Sequence, residues 1–510
     1  SYIEINNFYT ATVYEKGAEV VRMFKTLLGP EKFAKALDTY FERHDGDAAT
    51  VEDFVTCMED ASGRDLKQFF NWYNHAGTPS VNAHLDWDQA AGTATLAVTQ
   101  SLSPTPGQSE KPDMHIPLAT GLIGPDGTDM ALVLDDGKKI DSGILELRST
   151  RQSWTFTGIT ARPILSINRG FSAPINLTTG QRDDELLFVM ANDQDAFNRW
   201  EAGQTLSRSI IMSAMQAIGD GDEPEVIDDY GDALAGVLAA QDLEPAFKAQ
   251  MLALPGEADI ANMLGRNVNP DLIKTARDLV RNKVGSRLAD QLERLADDLP
   301  AGDYSASAEA AGQRALAYAA LSLLAAARRT ETAAAALGLF KAARHMSGMM
   351  GPLNILASLD VAERDEALDS FHERFANDHL IVDKWFSLHG MRTGTGAAAH
   401  IRRLMKHGDF AINRPNRVRA LIGTFAGMNQ TGFNDASGEG YDVVAEVVMA
   451  LDERNPQVAA RMVSAFRSYQ LMDQVRQDKA RAALGLIRDK QGLSPDTLEM
   501  VTRMLEPQKP

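Results

Sequence analysis

The sequence predicts a mainly α-helical chain that carries one small β-sandwich between two helical stretches. Three observations predict this. Apolar residues recur at helical spacing over residues 1–77. Period-two alternation, broken by Gly, Pro and Asp, runs over 78–177. Helical patterning then fills 178–510, with no convincing strand after about Thr178. At 510 residues, with 44% hydrophobic and 24% charged residues, the chain is ordinary globular material and too long for a single core.

In the first stretch, Val13, Gly17, Val20, Val21, Phe24 and Leu28 mark a helix that Gly29-Pro30 stops. Phe33, Leu37, Tyr40 and Phe41 mark the next. Thr50 stands as N-cap before Val51-Glu52-Asp53, and Phe54, Cys57 and Met58 form that helix's apolar stripe. Leu66, Phe69, Phe70 and Tyr73 form a further short helix before Gly77-Thr78-Pro79 ends the segment. The sandwich strands are read at Thr95–Thr99, Met130–Leu134, Ile144–Leu147 and Trp154–Phe156, with turns such as Pro104–Gly107 and Gly124–Gly127 between them. The last stretch breaks at Gly219–Gly221, Leu254–Gly256, Asn269-Pro270 and Gly351-Pro352. A series of short amphipathic helices without a fixed sequence period is expected to stack as an α-solenoid.

A net charge of −19 argues against binding phosphate backbones, so no nucleic-acid partner is expected. The single cysteine, Cys57, excludes an internal disulfide and fits a reducing compartment, most simply the cytoplasm. It is read as a small buried apolar residue. The longest apolar run, Ala317–Ala327, is too short to span a bilayer and ends in Arg328-Arg329, so no membrane partner is expected. No secretory signal is visible, although the chain opens on Ser1 and reads as truncated.

No complete catalytic set stands in the sequence. Of the ten histidines none forms H-E-x-x-H; at His372-Glu373-Arg374-Phe375-Ala376, Ala376 takes the second histidine's place. His372 and His379, like His400 and His407, are two helical turns apart, too far to share an ion unaided. All four are read as surface or satisfied residues, and no metal ligand is assigned in this chain. There is no G-x-S-x-G elbow, and Gly390–Gly396 lacks the ending of a phosphate loop.

The segment Ile5–Val20, above all Val13-Tyr14-Glu15-Lys16-Gly17, closely resembles the catalytic domain of bacterial aminopeptidase N, a zinc metallo-aminopeptidase family. Tyr40–Gly46, Asn71-Trp72-Tyr73, Gly77-Thr78-Pro79, Phe171–Pro174, Asn416–Gly423 and Arg454–Arg461 are similar to the same family, in order along the chain. The resemblance implies that residues 1–77 end a thermolysin-like catalytic domain, 78–177 form the β-sandwich and 178–510 the all-helical C-terminal domain. It implies release of N-terminal residues from short peptides by a monomeric, cytoplasmic enzyme. The zinc ligands, the general base and the amine anchor are then expected before Ser1, and this chain alone is expected to be inactive.

By the same resemblance, Tyr14 donates a hydrogen bond to the oxyanion of the tetrahedral intermediate. A phenol suits this role because it donates while neutral at working pH. Tyr9 is about 140° away on an ideal helix, so it is expected in packing or in a pocket wall. Asn6 and Glu15 are expected near the substrate. Arg419, Gln457 and Arg461 match positions lining a cavity that faces the active site, where the helical domain is expected to close a chamber and an arginine would meet a peptide carboxylate. A non-catalytic helical scaffold or peptide-binding module is the alternative, which has no use for the Val13–Gly17 motif.

Overall fold

The computed structural model describes residues 5–224, 228–299, 304–394 and 396–506, without the side chains of Ile5 and Asn6. Two compact units divide the chain, Tyr9–Leu206 and Ser1–Phe8 with Ser207–Pro510.

In the Tyr9–Leu206 unit, helices Gly17–Leu28, Pro30–His44 and Val51–Ser62 pack ahead of the sandwich. Gly29 makes the bend between the first two at φ 77°, and Pro30 opens the second, where a missing N–H costs nothing. Thr50 and Asp53 form the expected cap reciprocally: Asp53 N–H donates to Thr50 Oγ1 at 3.2 Å and Thr50 N–H to Asp53 Oδ2 at 2.8 Å. Cys57 is fully buried.

The sandwich has strands β1 Ser80–Asp88, β2 Thr93–Ser101, β3 Ile116–Ile123, β4 Ile144–Leu147, β5 Arg151–Thr157, β6 Ile164–Ile167 and β7 Asn176–Thr178. They form a four-stranded sheet in the order β5-β2-β1-β7 and a three-stranded sheet in the order β4-β3-β6. The β1–β2 register pairs Val81 with Gln100 and Leu85 with Leu96, and β7 runs parallel to β1. Met130–Leu134 is not a strand, contrary to the alternation. Its pairing is limited to single bridges, Val133 with Lys139 and Leu134 with Phe156, because the turn at Gly137 folds the segment back on itself.

One continuous core joins the three helices to the sandwich, from Val20 and Phe24 through Phe69 and Trp72 to Leu118 and Ile167. The Phe24 and Phe69 rings lie 4.5 Å apart, and Trp72 Nε1 donates to His115 O at 2.9 Å. A polar clamp crosses the same junction. Arg64 donates from one nitrogen to both Glu146 oxygens, at 2.6 and 2.7 Å, while His115 Nε2 and Arg148 reach Glu146 Oε2 at 2.9 and 2.8 Å. The hydrogen bond from His115, then those from Arg64 and Arg148, hold the Glu146 carboxyl well below the usual carboxylate range against its own burial.

The other unit is helical. Helix Ala308–Ala327 packs on Pro245–Met251, Pro270–Arg287, Ala289–Asp297 and Arg329–Ala342. Small residues permit this crowding: a Cβ on Gly285 would stand 2.7 Å from Leu323 O. Asn269 caps Pro270–Arg287, as its place before proline predicts. Gly351-Pro352 does not break a helix but lies inside Met346–Ala357. The Tyr318 ring occupies the face that Gly351 leaves bare, where a Cβ would meet it at 2.4 Å. Tyr318 Oη also approaches Gly348 O, the carbonyl that Pro352 leaves without its helical donor, at 3.5 Å.

A buried histidine pair lies deeper in this unit. Arg403 donates to His400 Nδ1 at 2.7 Å, so the His400 proton sits on Nε2 and is given to His389 Nδ1 at 3.0 Å. Burial, then neighbouring cationic and imidazole groups, push His389 down to about 3. Burial, then Arg392 and Arg403, push His400 down to about 4. Both rings are therefore neutral near pH 7.

Because the folded Glu146 is the stronger acid, its contribution is present above the unfolded carboxylate range and is lost as pH falls through the folded value. Glu146→Gln is expected to cost about 1.5–3 kcal/mol at pH 7, the loss of charge-assisted hydrogen bonds. Thermal unfolding followed against pH should show the gap between variant and wild type narrowing once pH drops below about 4.

Candidate functional site

Tyr14 sits in a π-helical turn, Thr12–Lys16, that leads directly into helix Gly17–Leu28. The turn is closed by Gly17 N–H reaching back five residues to Thr12 O. No residue of the turn is buried, and Tyr14 is 61% exposed. Something other than core packing must therefore fix it, and cationic side chains on main-chain oxygens do so. Lys16 Nζ donates to Gly77 O and stands 5.7 Å from the Trp72 ring centroid. Arg22 donates to Gly170 O at 2.6 Å and Phe171 O at 2.5 Å. Arg64 donates to Leu27 O at 2.7 Å from the far end of the helix. Lys111 closes the same junction by donating to Ala76 O at 2.5 Å. Burial, then the nearby Lys111 charge, lowers the Lys16 pKa from its ordinary value.

The Gly77-Thr78-Pro79 and Phe171–Pro174 segments thereby acquire a physical reason. Gly77 has φ 102° and Gly170 has φ 59°, and their carbonyls receive Lys16 and Arg22. Phe171 holds φ 54°, unusual for a bulky residue, with its carbonyl also taken by Arg22.

Of the two expectations for Tyr9, packing or a pocket wall, its exposure speaks against burial in a core. Its ring centroid lies 6.3 Å from that of Tyr14, tilted by 35°, and it is 54% exposed. An ideal α-helix would place the two rings on different faces; the π-turn and the bend before it put them side by side.

Glu15 is exposed on the same turn. Asn6 belongs to helix Ile5–Phe8, and its side chain lies outside the described residues. In the helical unit Arg419 opens a second π-helical turn, Arg419–Gly423, and donates to Asn416 Oδ1 at 2.9 Å. It lines an open cavity of about 860 Å³ together with Arg414 and Asn416. Gln457 and Arg461 are exposed one turn apart on helix Pro456–Val463. Arg461 lines another cavity, of about 590 Å³, beside Arg467 and Gln430. The structure thus gives Arg419 and Arg461 separate cavities.

The described residues of the Tyr9–Leu206 unit contain no group of three or more His, Cys, Asp or Glu placed to share an ion. They do not fit a catalytic zinc. The one such group among the described residues is His372, His407 and Asp409. By sequence, His372 and His379, like His400 and His407, stand two helical turns apart, too far to share an ion unaided, and are expected as surface or satisfied residues. The fold instead brings His372 to His407, ring centroids 5.2 Å apart, and His389 to His400. No sequence motif signals either pairing, because each joins separate segments, a helix and a turn for His372 with His407 and two helices for His389 with His400.

The fold class is a mainly helical chain that carries one small two-sheet sandwich, with an exposed tyrosine on a pinned π-turn ahead of it. "Peptidase family M1 domain" matches residues 1–73, "Domain of unknown function (DUF3458) Ig-like fold" matches 77–180, and "Domain of unknown function (DUF3458_C) ARM repeats" matches 183–506. Aminopeptidase N of Caulobacter vibrioides is 42% identical over 506 residues, which cover 99% of this chain and 57% of that protein. Aminopeptidase N of Escherichia coli is 34% identical, over 99% of this chain and 58% of that protein. The crystal structure of Legionella pneumophila aminopeptidase A in complex with aspartic acid superposes with a TM-score of 0.87 at 26% identity, covering 99% of this chain and 57% of that one. The chain belongs to the family described as "Domain of unknown function (DUF3458_C) ARM repeats" and is similar over nearly its whole length to proteins named aminopeptidase N. It spans somewhat over half the length of these relatives.

Lys16→Met is expected to free the π-turn from Gly77. Loss of one charge-assisted bond should speed amide exchange over residues 12–17 by about 10-fold or more, read by hydrogen–deuterium exchange. Lys16→Arg, which keeps a donor, should exchange more slowly than Lys16→Met.

Proposed function

We propose that the protein containing this chain is a cytoplasmic zinc aminopeptidase that releases N-terminal residues from short peptides, its zinc held by residues outside this chain. The observation that carries the reading is the exposed Tyr14 hydroxyl, presented on a pinned π-turn inside the segment similar to the M1 peptidases. Tyr14 donates its phenolic hydrogen bond to the oxygen of the scissile carbonyl as negative charge builds there. A donor that is already oriented costs no reorganisation at the moment of reaction. Lys16, Arg22 and Arg64 supply that orientation through the helix behind it.

Asn6 and Glu15 are proposed as substrate contacts near Tyr14. Arg419, Gln457 and Arg461 are proposed to receive the rest of the peptide, with arginine meeting its carboxylate end. The names of the relatives support peptide substrates, and the lone Cys57 supports a reducing compartment. Among the described residues no helix is long and apolar enough to cross a membrane. A monomer is proposed.

Tyr14→Phe in the intact enzyme tests the reading on an aminoacyl anilide. The expected outcome is a fall in kcat of about 100–1,000-fold with KM little changed. Unaltered turnover would remove Tyr14 from the chemistry, and absence of turnover in the intact wild type would favour a non-catalytic scaffold.

A further inference from the structure

We propose that the helical unit binds a divalent transition-metal ion of the zinc type through His372, His407 and Asp409. One ligand atom from each lies within 4.8 Å of the others. His372 Nε2 is 2.7 Å from Asp409 Oδ2, and His407 Nδ1 is 3.6 Å from the same oxygen. Ligands around a tetrahedral zinc ion, with bonds near 2.0–2.1 Å, stand about 3.3 Å apart. The two distances fall on either side of that value, so side-chain shifts of roughly half an ångström would admit the ion.

The ligands come from two segments held rigidly. His372 projects from helix Ala362–Phe375, while His407 and Asp409 lie in the turn after helix Ala397–Leu404. That turn is fixed by His407 N–H to Leu404 O at 3.0 Å, Phe410 N–H to His407 O at 2.9 Å and Arg417 Nη1 to Asp409 O at 2.8 Å. The Arg417 charge is answered by Asp383 at 2.6 Å, which limits its repulsion of a cation. The Trp385 ring packs on both imidazoles, at centroid distances of 4.5 Å to His372 and 5.2 Å to His407. Its own N–H is tied to Leu368 O at 3.0 Å.

The protonation pattern also suits an ion. Asp409 N–H donates to His407 Nδ1 at 3.2 Å, which marks that nitrogen as the one bearing a lone pair. A bond of that length is at the weak end and yields readily to a metal. His372 gives its Nε2 proton to the Asp409 carboxylate, and a shift of that proton to Nδ1 frees the second lone pair. Two imidazoles and one carboxylate select zinc, cobalt or nickel over calcium and magnesium, which take oxygen ligands. Asp409 also borders the open cavity of about 860 Å³, so water can complete the coordination. The ion would cross-link helix Ala362–Phe375 to the turn at 405–410. This inference does not rest on the peptidase reading.

The test is titration of the EDTA-stripped full chain with zinc chloride by calorimetry, with cobalt(II) as a visible-absorption probe of the same site. One equivalent should bind, and thermal stability should rise with free zinc. His372→Ala and Asp409→Asn should each weaken binding by about 100-fold or more, at least as much as losing a supporting residue. His84→Ala, a change at an exposed histidine, should leave it unaltered. Asp409→Asn keeps the side chain's shape, so it decides the matter even if His372→Ala fails to fold. Absence of one-equivalent binding in the wild type, or binding that survives Asp409→Asn undiminished, overturns the proposal.

Discussion

Cationic side chains on main-chain carbonyls hold the helix Gly17–Leu28 in place, and the presentation of Tyr14 depends on them. Lys16 takes Gly77 O, Arg22 takes Gly170 O and Phe171 O, and Arg64 takes Leu27 O while gripping Glu146. A carbonyl dipole is a weaker partner than a carboxylate, but it is fixed by the chain and cannot rotate away. The result is a helix located by the course of the backbone around it. Glu146 shares its charge among Arg64, His115 and Arg148, so the sandwich contributes to the same arrangement. The apolar core beneath provides cohesion without direction, and the cations provide direction.

The helical unit solves a different problem, the close approach of many helices. Gly285 lets one backbone press on another, and Gly351 makes room for the Tyr318 ring. The His389–His400 pair is linked by a directional chain of donors beginning at Arg403, which leaves the buried His389 Nε2 without a partner among the described residues. Its neutrality avoids burying charge between helices, at the cost of a preference for protonation in the unfolded chain at acid pH.

Local features were the legible ones. Thr50 with Asp53, Gly29-Pro30 and Asn269-Pro270 declare helix ends because the forces involved act within four residues. Strands β2, β4 and β5 were legible from alternation. Met130–Leu134 carries the same alternation without the partner strand, and alternation does not report pairing. Gly351-Pro352 was misread because Tyr318, more than thirty positions away, makes the proline tolerable inside a helix. At the candidate site, the Val13–Gly17 motif draws attention to Tyr14, but the π-turn that carries it is not legible, since five residues of unremarkable composition do not announce a change of helical pitch. The meeting of His372 with His407 is tertiary and leaves no trace in spacing.

The π-turn makes the position of Tyr14 a matter of residue count. One residue more than an α-helical turn is accommodated between Thr12 and Gly17. Removing a single residue from this stretch would let the backbone relax into a regular helix, and every side chain before the deletion would swing by about 100° relative to Gly17–Leu28. The anchored helix would stay where it is, and the core would register nothing. Length in this segment therefore matters in a way that neither hydrophobicity nor charge reveals: side chains can be exchanged here, but a change in their number would turn the tyrosine away.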